Sequence, residues 1–133
     1  MKYFTINELT KSSTALSKGI DNTPTKDIEN KLIQLVNKVL DPLREWYKKP
    51  IIVTSGYRCP ALNKAVKGAV SSQHMKGEAA DIKSTSISEN KKLFDYIKNN
   101  LDFDQLIWEY GGKWIHVSYK SNGNRKQVLS INN

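Results

Sequence analysis

The chain has a single cysteine among its 133 residues, so it can close no internal disulfide and cannot build a cysteine-rich zinc finger. That residue, Cys59, sits between Arg58 and Pro60 and reads as a small side chain rather than an activated nucleophile. Long apolar runs are also missing. Nothing approaches the roughly 18 residues that span a bilayer, so neither a transmembrane helix nor a membrane partner is expected. The opening Met1-Lys2-Tyr3-Phe4-Thr5-Ile6-Asn7-Glu8 lacks an apolar stretch and carries an early acid, so no signal peptide is expected. Acids are scarce beside bases: 13 Asp and Glu against 21 Lys and Arg leave a formal charge of +8. Such a balance favours polyanions, whether nucleic acid, an anionic membrane or an acidic polymer. The lysines are scattered, however, with no basic stripe and no helix-turn-helix pattern. Most of the charge therefore reads as solvated surface, and no nucleic-acid partner is expected.

With 38% hydrophobic and 26% charged residues the composition is that of a soluble globular protein. No repeat or low-complexity linker divides it, so residues 1–133 are expected to form one domain. Phe4 to Leu9 reads as a short helix capped by Thr5 or Asn7, followed by a polar stretch and a loop to Pro24. From Thr25 an amphipathic helix is clear, because Ile28, Leu32, Leu35, Val36, Val39 and Leu40 form one stripe. Asp41-Pro42 is expected to end it and cap another turn. Ile51 to Thr54 and Ala79 to Lys83 read as strands. Short and long helices are expected over Ala61 to Val66 and, capped by Ser88, over Glu89 to Asn99. Phe103 to Trp108 and Trp114 to Tyr119 read as a hairpin around Gly111-Gly112, with a last strand over Gln127 to Ile131. Helices first, then mostly hairpin-connected strands, predict an α+β fold: a small antiparallel sheet with helices packed on it.

Histidine occurs only twice, as His74 and His116. His74 lies seven residues before Asp81, with Gly77 between them to let the chain bend back. Asp81 falls in a predicted strand, where Asp is disfavoured unless it is a ligand, an edge residue or a partner to a buried cation. His116 lies mid-strand, facing the same side as Trp114 and Ser118. A strand histidine alone is more often a packing residue than a ligand. Two imidazoles and one carboxylate are nevertheless a common catalytic zinc set.

Three segments carry a family resemblance: Ser55-Gly56-Tyr57-Arg58, Ser72-Gln73-His74-Met75-Lys76-Gly77-Glu78-Ala79-Ala80-Asp81, and Trp114-Ile115-His116-Val117-Ser118. The pattern S-x-H-x-x-G-x-A-x-D followed downstream by W-x-H resembles the M15-type zinc peptidases that cut peptide bonds in bacterial peptidoglycan. The likeness extends to residues 19–24 and 40–44. It looks closest to compact single-domain members found in phage and bacterial genomes. It implies one zinc ion held at His74, Asp81 and His116, and a fold shared with Hedgehog signalling domains and D-alanyl-D-alanine peptidases. Arg58 matches an arginine that contacts substrate or the developing oxyanion, a task suited to a permanent, planar charge. Ser72 matches a substrate-contacting serine, and reads equally well as a loop hydroxyl capping local backbone.

One position departs from the better-known members, which carry an acidic base three residues before the second histidine. Here Lys113 stands there, with the wrong charge to accept a proton. If Gly111-Gly112 is the turn, Glu109 opposes Trp114 and Ile107 opposes His116, so Glu109 shares a face with His116. Glu109 is then the expected base, against the alternative of a hairpin-edge carboxylate paired with a lysine. Asp104 falls on the other face. The expected activity is hydrolysis of peptidoglycan stem peptides, as a D-Ala-D-Ala carboxypeptidase or an L-Ala-D-Glu endopeptidase. The competing expectation is an inactive, zinc-stabilised wall-binding or structural module. A monomer made in the cytoplasm, phage-encoded and released to the wall, completes the reading.

Overall fold

The computed structural model describes residues 1–131; the last two residues of the expected 1–133 domain lie outside the described residues. The architecture is α+β: a five-stranded open sheet in the order β1-β2-β4-β3-β5, with helices packed against it. The strands are β1 (Ile52–Ser55), β2 (Ala79–Lys83), β3 (Gln105–Glu109), β4 (Trp114–Ser118) and β5 (Gln127–Ile131). The first four pair antiparallel, β3 and β4 as the expected hairpin and the others across intervening helices. The fifth runs parallel to β3 instead, because the chain from Ser118 crosses back before pairing.

The helices are α1 (Ile6–Thr10), α2 (Ser13–Lys18), α3 (Lys26–Leu35), α4 (Asp41–Tyr47), α5 (Pro60–Ala65) and α6 (Ile87–Asn100). Thr5 rather than Asn7 caps α1, through a reciprocal capping box with Glu8. The polar stretch that follows contains α2, which Ser12 caps and Gly19 closes in a left-handed conformation. Asp41-Pro42 does not end the long helix. The chain runs on through a π-helical turn at Val36–Leu40 directly into α4. Pro42 has no N–H to offer the carbonyl four residues back, and a wider turn relieves its ring's clash there. Asp41 instead accepts backbone hydrogen bonds from Lys2 (2.6 Å) and Tyr3 (3.0 Å), tying down the amino terminus. The long helix α6 starts earlier than expected because Ser86, not Ser88, is its cap.

The stripe seen in the sequence forms the core. Leu32, Leu35, Val36, Val39, Leu40 and Leu43 are fully buried against one face of the sheet, which contributes Ala80, Ile82, Leu106, Ile115 and Val117. The alternate residues Asp81 and His116 point to the opposite face, as the two-residue strand period demands. Asn90 of α6 fixes this layer to the hairpin: its side chain donates to Gly112 O (2.8 Å) and accepts from Ser84 N (2.6 Å). Gly112 itself has φ +89° and lies so close to the Trp108 ring that a Cβ would overlap it.

The end of α4 is pinned to α6 by Glu89, which accepts from Tyr47 Oη (2.6 Å), Lys49 (3.0 Å) and Lys92 (2.6 Å). Hydrogen bonds from Lys92, Tyr47 and Lys49 pull its carboxyl from the usual 4.5 to about 2. A depressed carboxyl stabilises the fold above its unfolded pKa and loses that contribution as pH falls toward the folded value. Glu89→Gln should therefore be less stable than the parent at pH 6, and the gap should close as pH falls from about 4.5 to about 2. Urea titrations at several pH values measure it; a gap that stays constant with pH would rule out the ionised carboxylate as its source.

Candidate metal centre

The sheet register assembles the centre before any loop contributes. Asp81 on β2 is paired directly with His116 on β4, His116 with Ile107 on β3, and Asp81 with Ser55 on β1. Directly opposed residues share a face, so Ser55, Asp81, His116 and Ile107 form one row across the sheet. Ser55 enters that row because the β1–β2 register shifts between Val53 and Ser55, a bulge that re-aims the end of β1.

His74 arrives from outside the sheet. It sits in a short 3-10 turn, Gln73–Lys76, opened by Ser72 Oγ accepting from His74 N (3.2 Å). Gly77, with φ +72°, reverses the chain into β2. His74 is then held from behind by the segment after β1: its Nδ1 lies 2.7 Å from Gly56 O, and Arg58 N donates to its carbonyl (3.1 Å). Gly56 can offer that carbonyl only because it has no Cβ, which would come within 2.1 Å of Leu9 O. Leu9 O also accepts from Tyr57 N (2.7 Å), and Asn22 bridges Thr10 O, Tyr57 O and Cys59 N. The amino-terminal helices thus buttress the back of the centre.

His74, Asp81 and His116 are all buried, and their ligand atoms lie within 4.8 Å of one another. Asp81 Oδ1 is 3.4 Å from His74 Nε2 and 3.1 Å from His116 Nδ1. A carbonyl can only accept, so His74 Nδ1 carries a proton toward Gly56 and its Nε2 turns a lone pair inward. The outer nitrogen of His116, Nε2, lies 3.1 Å from Gln73 Oε1, which likewise only accepts. A neutral His116 therefore turns its Nδ1 lone pair inward too. Two imidazole nitrogens and one carboxylate oxygen converge with no proton required among them, an arrangement that fits a divalent cation. Nitrogen and oxygen donors in this number suit zinc and leave a position for a further ligand.

The centre opens into a cleft of about 1220 Å³. Arg58 lines it, its Nη2 3.9 Å from Asp81 Oδ2, with the guanidinium braced by Ser55 Oγ (3.2 Å) and Asn63 Oδ1 (3.1 Å). Burial lowers the Arg58 pKa, while the charges of Asp81 and Glu109 favour its ionised form. Glu109 also lines the cleft. The hairpin register is the one its sequence predicts, Glu109 opposite Trp114 and Ile107 opposite His116. Trp114 Nε1 donates to Glu109 Oε2 (3.0 Å), and among the described residues Oε1 has no protein hydrogen-bond partner. Ser72 faces the cleft as well as capping its own turn. Lys113 is exposed and does not line the cleft, so it does not stand in for an acid there.

The pattern in the sequence singled out the inward groups but not the outer ones. Gln73 and Gly56 act on the centre through hydrogen bonds to His116 and His74, 43 and 18 residues away, and no spacing rule reaches them. Alanine at His74, Asp81 or His116 should abolish zinc retention through gel filtration, from about one ion per chain to near none, whereas Ser72→Ala should keep it. Elemental analysis of the purified variants decides; zinc retained after His116→Ala would exclude that residue as a ligand.

The Peptidase M15 family model matches residues 2–118, which span every element of the centre. No curated protein matches the chain. By that match and by the inward-facing histidine and aspartate donors that accompany it, the chain belongs to the M15 peptidase family.

Proposed function

We propose that this chain is a zinc-dependent peptidase that hydrolyses stem peptides of bacterial peptidoglycan. The observation that carries the reading is a carboxylate oxygen without a hydrogen-bond partner among the described residues and a braced guanidinium, both lining one cleft beside three convergent metal donors. Zinc held by His74, Asp81 and His116 would supply a Lewis acid for the scissile carbonyl and lower the pKa of water at the centre. Glu109 accepts a proton from the attacking water at Oε1 while Trp114 keeps Oε2 fixed, and returns it to the departing amine. Arg58, held flat between Ser55 and Asn63, offers its charge to the oxyanion that develops on the carbonyl.

The cleft is open and polar enough for an extended peptide. Hydroxyls of Ser13, Thr14, Ser71 and Ser72 line it, with Lys11 and Lys67 among its cationic groups. Those cations suit the carboxylates of a stem peptide, and the net charge of +8 suits an anionic wall.

Digestion of purified peptidoglycan by the parent should release new termini whose identity names the bond, carboxypeptidase or endopeptidase. Glu109→Gln should lose about 10²–10⁴-fold in rate while retaining zinc. A parent that holds zinc but releases nothing would leave the alternative, a metal-stabilised wall-binding module. Full activity in Glu109→Gln would remove Glu109 as the base.

A further inference from the structure

One buried charge has no part in the mechanism above. Asp104, just ahead of β3, is wholly buried and does not line the cleft. Its Oδ1 accepts from Arg125 N (3.1 Å) and Nε (3.0 Å), and its Oδ2 accepts from Arg125 Nη2 (2.8 Å). Lys120 Nζ stands 3.9 Å from Oδ2. Those contacts anchor the segment leading to β5 and neutralise the charge. They do not explain a fourth bond: Gln73 Nε2 donates to the same Oδ2 at 2.8 Å.

That bond decides which way the Gln73 amide points. A carboxylate can only accept, so the NH2 of Gln73 faces Asp104 and its carbonyl oxygen faces His116 Nε2. Were the amide reversed, its NH2 would meet Nε2 and call for a lone pair there. The proton of a neutral ring would then move to Nδ1, the nitrogen that faces Asp81. We propose that Gln73 and Asp104, with Arg125 as the counter-charge, are positioning residues that hold His116 with Nδ1 free for a metal. The chain of bonds also polarises: the Asp104 charge draws on the Gln73 N–H, which makes Oε1 a better acceptor and His116 a stronger donor to the metal. This inference rests on the metal-binding reading and deepens it. Asp104 reaches the centre through Gln73, although it lies ahead of β3 and does not line the cleft itself.

Outer partners of metal-bound histidines are worth about 10–100-fold in metal affinity. Zinc dissociation constants, by chelator competition, should rise by that factor in Gln73→Met, which removes both hydrogen bonds at nearly constant volume. Asp104→Asn should weaken zinc similarly, because an amide there no longer dictates the orientation of Gln73. The double variant should bind zinc no more weakly than Gln73→Met alone, since Asp104 acts through Gln73. In the zinc-loaded parent, the His116 Nε2 proton should appear in nitrogen-resolved NMR as a slowly exchanging signal, and Gln73→Met should lose that protection. Thermal melting of the metal-free proteins shows that each variant folds; should Asp104→Asn fail to fold, Gln73→Met decides alone, because Gln73 is only partly buried. Zinc affinity of folded Gln73→Met within twofold of the parent, or additive losses in the double variant, would overturn the proposal. A parent that binds no zinc would instead overturn the metal reading itself, and the positioning role with it.

Discussion

The side-by-side placement of Asp81 and His116 on β2 and β4 is the constraint on which the rest of this structure depends. Two acceptors 3.1 Å apart in a buried site repel unless something positive lies between them. The sheet tolerates the pair because its hydrogen-bonded register leaves no choice of neighbour. Around this pair every other feature has a physical reason. His74 adds a third donor, Gly56 and Gln73 settle which ring nitrogens turn inward, and Arg58 supplies positive charge beside Asp81 Oδ2. The opposite face of the same strands is apolar and closed by the helices, so the polar row cannot relax by sliding one residue without burying charge in the core.

The amino-terminal third has a less obvious part in this. Its helices look like a cover for the core, and Leu32, Leu35 and Val39 are indeed fully buried. Yet α1 also ends in the carbonyl that holds Tyr57 and forbids a Cβ at residue 56, and Asn22 laces Thr10 to Tyr57 and Cys59. The rear wall of the centre is therefore built by residues at least 35 positions away from those it supports.

Much of this was legible in the sequence where a local period or a local motif was at work. The stripe from Ile28 to Leu40, the strand at Ala79 to Lys83 and the even hairpin placing Glu109 opposite Trp114 all follow from rules that act within a few residues. The set of inward donors was legible for a different reason: chemistry-bearing residues this rare stand out wherever they occur. What escaped was governed by partners distant in sequence. Asp41-Pro42 has the signature of a helix start, but Asp41 is occupied by the backbone of Lys2 and Tyr3, and the helix continues through a π turn. The strand β5 runs parallel because of where the chain crosses, which no alternation of side chains encodes. Asp104 was read by its face alone, and the side chain that carries its influence belongs to another segment.

The strand order carries a consequence for how the centre comes into being. β4 is not an edge strand: it lies at the middle of the sheet, between β2 and β3. His74 and Asp81 are close in sequence, whereas His116 follows Asp81 by 35 residues. A growing chain therefore exposes two donors well before the third, and the third arrives only with the strand that closes the gap in the sheet. Insertion of the central strand and completion of the metal site are one event. A chain that has captured its ion in full has, by that fact, already joined β4 to β2, whereas β5 can add to β3 afterwards.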